Sequence, residues 1–265
     1  MGRAGEGAKI RKGKGATDDY RLRVGSWNRG SLLEKSLKLV KILRKRQTNI
    51  VYLQETKWIS TKARVVDGYK LWYSGSVTNR NGVGILVDDK LRKKVVEVKR
   101  VNNRMMSINL VIGGSCWNII SGYAPYIGLD DENKKILSRG FEEIVRGVPS
   151  NMKLFIGGGF NGHIGSYSRG YRDVHRGYGF GVRNVEGVAL LDFARAFGLA
   201  VVNSTFTKKE VHLVTFCSSV SKTQIDFLLL RKGDRGICKD CKVLSSESLS
   251  TQHRLLVMGL DIRKE

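Results

Sequence analysis

Gly158-Gly159-Phe160-Asn161-Gly162 follows Lys153-Leu154-Phe155-Ile156, a short apolar run that reads as a buried strand. A Gly-Asp-Phe-Asn turn at such a strand end would put a carboxylate and an amide into a phosphate-cleaving site. Here the carboxylate position holds Gly159. Four more polar motifs follow apolar runs: Ser26-Trp27-Asn28, Gln54-Glu55-Thr56, Ser121-Gly122-Tyr123-Ala124-Pro125 and Ser250-Thr251-Gln252-His253. Gln224-Ile225-Asp226-Phe227 opens another run. Each motif has an ordinary explanation on its own. Glu55 could be an exposed strand-end acid, Tyr123 a packing aromatic, and His253 a surface or satisfied core histidine. Asn28 and Asn161 could be turn residues. Asp226 is harder to explain this way, because a lone buried carboxylate is costly and needs a partner. His163, His175 and His212 have no evident partner in the sequence and read as structural or exposed.

These motifs need strands to carry them. Arg21–Ser26, Asn49–Leu53, Lys70–Ser74, Gly82–Val87 and Cys116–Ser121 read as strands. Val95–Val101 and Met105–Ile112 read as a pair joined at Asn102-Asn103. Leu199–Val202, Thr215–Cys217, Ile225–Leu230 and Leu255–Leu260 complete the set. Helices are predicted at Leu32–Arg46, with Leu33, Leu37, Val40 and Leu43 near one stripe, and at Asp131–Val145. A third is predicted at Glu186–Phe197, with Leu190, Leu191, Ala194 and Phe197 inward and Gly198 as its C-cap. Many strands with few helices suggest two packed sheets flanked by helices. The pattern does not fix their topology.

The 265 residues carry 47 Lys+Arg against 24 Asp+Glu, a net charge of +23. The first 20 residues hold five basic and three acidic side chains, which leaves +21 on the rest. The body itself is therefore basic and favours polyanions, nucleic acid before anionic membrane. A solvated basic surface without a specific partner is the alternative. Residues 1–20 are rich in Gly and Lys and poor in large apolar side chains, so they read as a disordered tail. Residues 21–262 read as one domain, expected to be monomeric. No apolar leader and no membrane span are expected. Met1-Gly2 lacks the Ser or Thr of a myristoylation motif, since Glu6 stands there. The Lys9–Lys14 run is a weak nuclear address on a chain expected to be intracellular. Cys116 and Cys217 lie in apolar strand-like segments and read as buried thiols. Cys238-Lys239-Asp240-Cys241 has metal-ligand spacing but lacks a second pair.

Taken together and in order, the strand-end motifs resemble the endonuclease/exonuclease/phosphatase family across 21–262. The likeness is greatest to the plant craniofacial development protein 2-like proteins and to LINE-type retrotransposon endonucleases. Trp58, Asp67–Gly75, Asn81–Val87 and Thr223–Arg231 support it. The resemblance implies an α/β, deoxyribonuclease I-like, four-layer α/β sandwich, two packed mixed β-sheets flanked by helices. It also implies a Mg²⁺-dependent phosphodiester hydrolase acting on nucleic acid, DNA above all, with Mn²⁺ as the alternative ion. Glu55 would be a metal ligand supported by Asn28. Tyr123 would meet the scissile phosphate or leaving group, and Asn161 would orient phosphate or water. His253 would donate to a phosphoryl oxygen, held by Asp226. Gly159 replaces the catalytic acid and Gln252 a second one, so weak or lost turnover is expected. A non-catalytic nucleic-acid-binding relic and a phosphomonoesterase of the same fold are the alternative readings. Arg29, Lys57, Arg80 and Arg172 are the basic side chains chosen to follow a nucleic-acid backbone, with Lys62, Arg64, Arg169 and Arg176 as further candidates.

Overall fold

The computed structural model describes residues 20–28, 30, 36–76, 81–124, 131–246 and 252–262, the first eight residues of the second helix by backbone alone. The expected tail at 1–20 lies almost wholly outside the described residues. So do Arg29, Arg80 and Thr251.

In chain order the elements are β1 (Tyr20–Asn28), α1 (Ser36–Lys45), β2 (Ile50–Gln54), β3 (Ala63–Val66), β4 (Tyr69–Ser74), β5 (Val83–Val87), β6 (Val95–Asn102), β7 (Met105–Ile112) and β8 (Ser115–Tyr123). There follow α2 (Asp131–Arg146), β9 (Lys153–Gly159), α3 (Val185–Ala196), β10 (Leu199–Val201), β11 (Phe216–Cys217), β12 (Lys222–Thr223), β13 (Asp226–Arg231), β14 (Cys238–Leu244) and β15 (Leu255–Ile262). One sheet runs β14-β15-β1-β2-β5-β4-β3 and the other β10-β13-β9-β8-β7-β6, with β11-β12 as a separate ribbon. Both large sheets are mixed. β1–β2 and β8–β9 are parallel and the remaining pairs antiparallel. A parallel pair needs a crossover. α1 supplies it between β1 and β2, and α2 between β8 and β9.

The apolar side chains sort into three layers. Val24, Tyr52, Ile85, Ile108, Trp117, Phe155 and Leu228 fill the space between the sheets. Leu39, Val40 and Leu43 of α1 cover the outer face of the first sheet against Trp27, Val51 and Leu53. Leu190, Leu191 and Ala194 of α3 cover the outer face of the second against Leu154, Ile156 and Leu229, with Ile144 and Val145 of α2. This is the four-layer sandwich expected. The sequence stripe through Leu37 was misplaced: Leu37 is 59% exposed and Leu39 takes the inward position, so the apolar face is rotated. α3 forms as expected. The Asn184 side chain accepts from the Gly187 N–H at its start, and Gly198 leaves with φ +62 at its end.

The burial expected of Cys116 is not found, and that of Cys217 only in part. Cys116 is exposed and Cys217 half-buried, whereas Cys238 and Cys241 are buried. Both of the latter lie on β14, a strand the sequence did not reveal because Lys239 and Asp240 interrupt its apolar pattern. Burial pushes the Cys238 thiol up to about 12 and raises Cys241 well above its ordinary value, which suits inert core thiols. β3 was also missed, since its side chains are mostly exposed. The hairpin turn falls on Asn103-Arg104 rather than Asn102-Asn103.

The glycines ending β9 set how closely the layers approach. A Cβ on Gly157 would stand 2.2 Å from Tyr52 Cδ2, and one on Gly158 would stand 1.7 Å from the Gly122 carbonyl oxygen. A Cβ on Gly159 would meet Asp226 Oδ1 at 3.2 Å and Tyr123 Cδ2 at 3.5 Å. Packing therefore demands glycine at 157 and 158, while position 159 has tight but usable room. Gly158→Ala should lose about 3 kcal/mol or more in urea unfolding, since backbone must move. Gly159→Ala should lose about 1 kcal/mol or less.

Candidate active site

The parallel pairs end at the same edge of the sandwich. Asn28 closes β1, and Glu55 follows β2 directly. Tyr123 closes β8 beside Gly159 of β9, their Cα atoms paired in register. Asp226 opens β13 opposite Gly159. His253 precedes β15 and bridges to Phe216 of β11. These five polar side chains thus come from both sheets.

Two hydrogen bonds cross between the sheets here. Tyr123 donates its hydroxyl to Glu55 Oε1 at 2.7 Å. His253 Nδ1 meets Asp226 Oδ2 at 3.1 Å. Asn28 Nδ2 also donates to Glu55 Oε1, at 2.9 Å, and Asn28 Oδ1 accepts from the Gly30 N–H at 3.2 Å. Asn161 Nδ2 donates to the Ala124 carbonyl at 2.9 Å, while the Ala124 N–H donates to the Gly159 carbonyl. This closes the β8 and β9 ends into one unit.

Backbone strain is concentrated at the same edge. Glu55, Lys57 and Asn161 have φ near +53, and Asn81 has φ +62. Non-glycine residues rarely occupy this left-handed region, and such strain persists where the surroundings over-determine it. At Glu55 the surroundings are visible: the Thr56 N–H donates to the Gly82 carbonyl and the Lys57 N–H to the Asn81 carbonyl. These bonds turn the chain sharply after β2 and hold Glu55 at the sheet end.

Several supports went unrecognised in the sequence. Thr215 Oγ1 accepts the N–H groups of Ile225 and Asp226. Asn203 Nδ2 donates to the Asp226 carbonyl, and its Oδ1 accepts from Leu228. Nothing in their local sequence marks them, because their partners lie across the sheet. Trp27 Nε1 donates to the His253 carbonyl at 3.1 Å, which ties the histidine to β1 next to Asn28. The Arg104 guanidinium lies 5.2 Å over the Tyr123 ring, in cation–π range. Arg104 sits in a plain hairpin turn and carries no motif. Gln252 is exposed, and its carbonyl accepts from Cys217. Among the basic candidates, Lys57 is half-buried beside Glu55, and Arg172 is exposed on the segment after Asn161. Arg64 stacks 5.1 Å over Trp58. His175 is buried and His212 bonds to the Val243 carbonyl, both in structural positions.

Among the described residues no cluster of three or more His, Cys, Asp and Glu side chains forms a metal cage. The Glu55 carboxylate is nevertheless a hard oxygen ligand, held in place by the Asn28 amide N–H, while the Asn28 oxygen is engaged by the Gly30 N–H. Such a minimal site fits Mg²⁺, which binds through one or two carboxylates and keeps waters and phosphate oxygens as other ligands. Asp226 Oδ1 is buried and has no hydrogen-bond partner among the described residues, and it faces the space over Gly159. A carboxylate placed at 159 would therefore lie against a second one, and the two would share a proton or a cation.

Burial works against a charged His253, but the charge and hydrogen bond of Asp226, with Glu55 behind them, outweigh it and raise the imidazole above its ordinary value. The stabilisation from this pair is complete below the ordinary value of 6.5 and is lost as pH rises through the raised, folded value. In EDTA, the urea midpoint should fall as pH climbs from 6.5 into the alkaline range. Asp226→Asn should flatten that slope, and an unchanged slope would exclude the pair as its source.

No family model matches the chain. In sequence it is 24% identical over 238 residues to craniofacial development protein 2 of Bos taurus, covering 88% of this chain and 40% of that protein. The Tragulus javanicus protein of the same name is 24% identical over 238 residues, with 41% of it covered. The chain thus spans about two fifths of the curated relatives it matches. The AP endonuclease LMAP from Leishmania major superposes with TM-score 0.70 at 12% identity, covering 91% of this chain and 88% of that one. The endonuclease domain of TRAS1, a telomere-specific non-LTR retrotransposon, gives 0.66 at 16% over 93% and 100%. The 3'-5' exonuclease NExo from Neisseria meningitidis gives 0.70 at 15% over 91% and 100%. The chain has the two-sheet, deoxyribonuclease I-like fold of the endonuclease/exonuclease/phosphatase proteins and is similar in sequence to craniofacial development protein 2.

Proposed function

We propose that this chain is a phosphodiester hydrolase domain that acts on nucleic acid, DNA in the first place, with turnover weakened or lost at Gly159. One observation carries the reading: Asn28, Glu55 and Tyr123 meet at the sandwich edge that also holds the His253–Asp226 pair, with Gly159 between Tyr123 and Asp226. Glu55, positioned by the Asn28 amide, would hold Mg²⁺, or Mn²⁺ in its place. The ion would neutralise phosphate charge and stabilise the leaving oxygen.

The remaining steps belong to the chain's own side chains. Glu55 fixes the Tyr123 hydroxyl, which can contact the scissile phosphate or leaving group. His253, raised above its ordinary value by Asp226, can donate to a phosphoryl oxygen in its protonated form while Asp226 fixes its ring. Asn161, anchored on Ala124, orients phosphate or water. The general base for the attacking water is the missing part. Its loss costs about 10²–10⁴ in rate.

The absence of a carboxylate at 159, on a body of net charge +21, also favours a second reading, a nucleic-acid-binding domain without turnover. A supercoiled-plasmid nicking assay separates the two. Gly159→Asp should nick in Mg²⁺ about 10²–10⁴ times faster than wild type, and EDTA should abolish this. Gly159→Asn, which restores size without charge, should stay near wild type. A folded Gly159→Asp protein that stays inactive would overturn the site assignment. Wild-type binding to DNA in EDTA should weaken steeply with salt, because phosphate contacts release counterions. Salt-independent binding would remove the nucleic-acid reading altogether.

A further inference from the structure

The segment 161–184 between β9 and α3 has no regular secondary structure, yet it is internally bonded. Arg183 acts as a clamp. Its Nε donates to the Ile164 carbonyl at 2.9 Å, one terminal nitrogen to the Arg169 carbonyl at 3.0 Å, and the other to the Tyr167 carbonyl. The same guanidinium lies 4.9 Å over the Tyr171 ring. Buried His175 is held neutral, its value lowered chiefly by burial, and it bonds the Gly165 carbonyl through Nε2 and the Gly177 N–H through Nδ1. The Ser166 N–H donates to the Gly181 carbonyl. The stretches 165–168 and 177–181 thus lie side by side. The segment is joined to the site at both ends, through Asn161 and through Phe180, whose N–H donates to Gln224 Oε1 two residues before Asp226.

This well-bonded segment exposes what a core would hide. Tyr167 is 79% exposed and Tyr178 41%, on the two neighbouring stretches. Arg169, Arg172 and Arg176 are exposed, and their guanidinium groups have no hydrogen bond or ion pair among the described residues. Backbone bonds from Tyr171 to Ser168 and from Val174 and His175 to Tyr171 close two successive turns, with Gly170 at φ +80 between Arg169 and Arg172. The segment's only acid, Asp173, is taken up by Arg195 and Lys232. Exposed aromatic rings beside unpaired arginines, on a backbone that need not be ordered on binding, form a surface for bases and phosphates together.

We propose that 161–184 is a stacking platform for unpaired nucleotides. Tyr167 and Tyr178 would take base faces, and Arg169, Arg172 and Arg176 the phosphates of a strand leading to the Asn161–Asp226 side of the site. This rests on the nucleic-acid reading above and narrows it to a preference for single-stranded or frayed substrate. Stacking needs a flat ring and a base freed from its duplex, and each base–aromatic stack is worth about 1–3 kcal/mol by alanine substitution.

Fluorescence anisotropy in EDTA, with the full chain, tests it on a short labelled single strand and on the blunt duplex made from it. Tyr167→Ala/Tyr178→Ala should weaken single-strand binding roughly tenfold or more, and duplex binding by less than about twofold. Tyr167→Phe/Tyr178→Phe, which keeps the rings, should stay within about threefold of wild type for both. Arg172→Gln and Arg176→Gln should each reduce the single-strand salt slope by about 0.7. Both side-chain pairs are exposed, so melting temperatures should match wild type and confirm the fold. Equal losses on both probes, a phenylalanine variant as weak as the alanine one, or an alanine variant that binds normally would overturn the platform. Wild type that binds neither probe would instead overturn the functional reading beneath it.

Discussion

The contact between the Tyr52 ring and Gly157 governs how the two sheets meet. Tyr52 lies on β2 and Gly157 on β9, each next to the crossover partner in its own sheet. The ring sits where the Cβ of any other residue would stand. Its hydroxyl is buried without a partner among the described residues, and burial drives its ionisation far above the ordinary range. Apolar packing of the ring between sheets outweighs that polar cost. The close approach aligns the ends of β2 and β9 at one edge, and Glu55 and Gly159 arrive there together. Gly158, pressed on the Gly122 carbonyl, fixes β8 against β9 in the same way and delivers Tyr123.

On this frame the site is a set of cross-sheet bonds. Glu55–Tyr123 and His253–Asp226 each join a side chain of one sheet to one of the other. Neither pair needs a carboxylate at 159 for its geometry. Thr215, Asn203 and Trp27 hold the same groups from behind. The loss of an acid at Gly159 can therefore remove chemistry without removing structure. What it leaves is local: a buried Asp226 oxygen without a hydrogen-bond partner among the described residues, facing the space where a side chain would stand.

Much of the fold was legible because alternating and continuous apolar runs mark buried strands independently of their partners. β9, β7 and the face of α3 are of that kind. β14 was not legible, because its charged interruptions resemble a loop until β15 pairs with it. The face of α1 was rotated because Leu37 and Leu39 are equally apolar, and only the sheet beneath decides which turns inward. The exposure of Cys116 was not legible for the same reason. Local hydrophobicity does not reveal which strands are covered on both faces.

For the site, the sequence alone determined which side chains were available: Asn28, Glu55, Tyr123, Asn161, Asp226 and His253 at strand ends, and glycine where an acid would be expected. It also determined the charge that favours a polyanion. Only the tertiary structure decided that these residues share one edge, with Trp27 bonded to the His253 carbonyl 226 positions away. It also decided that Arg104 lies over Tyr123, and that Tyr167 and Tyr178 stand exposed on a bonded segment. The physical reason is range. Strand propensity and charge act within a few residues, whereas hydrogen-bond partners and exposure are set by which surfaces the packed sheets bring together.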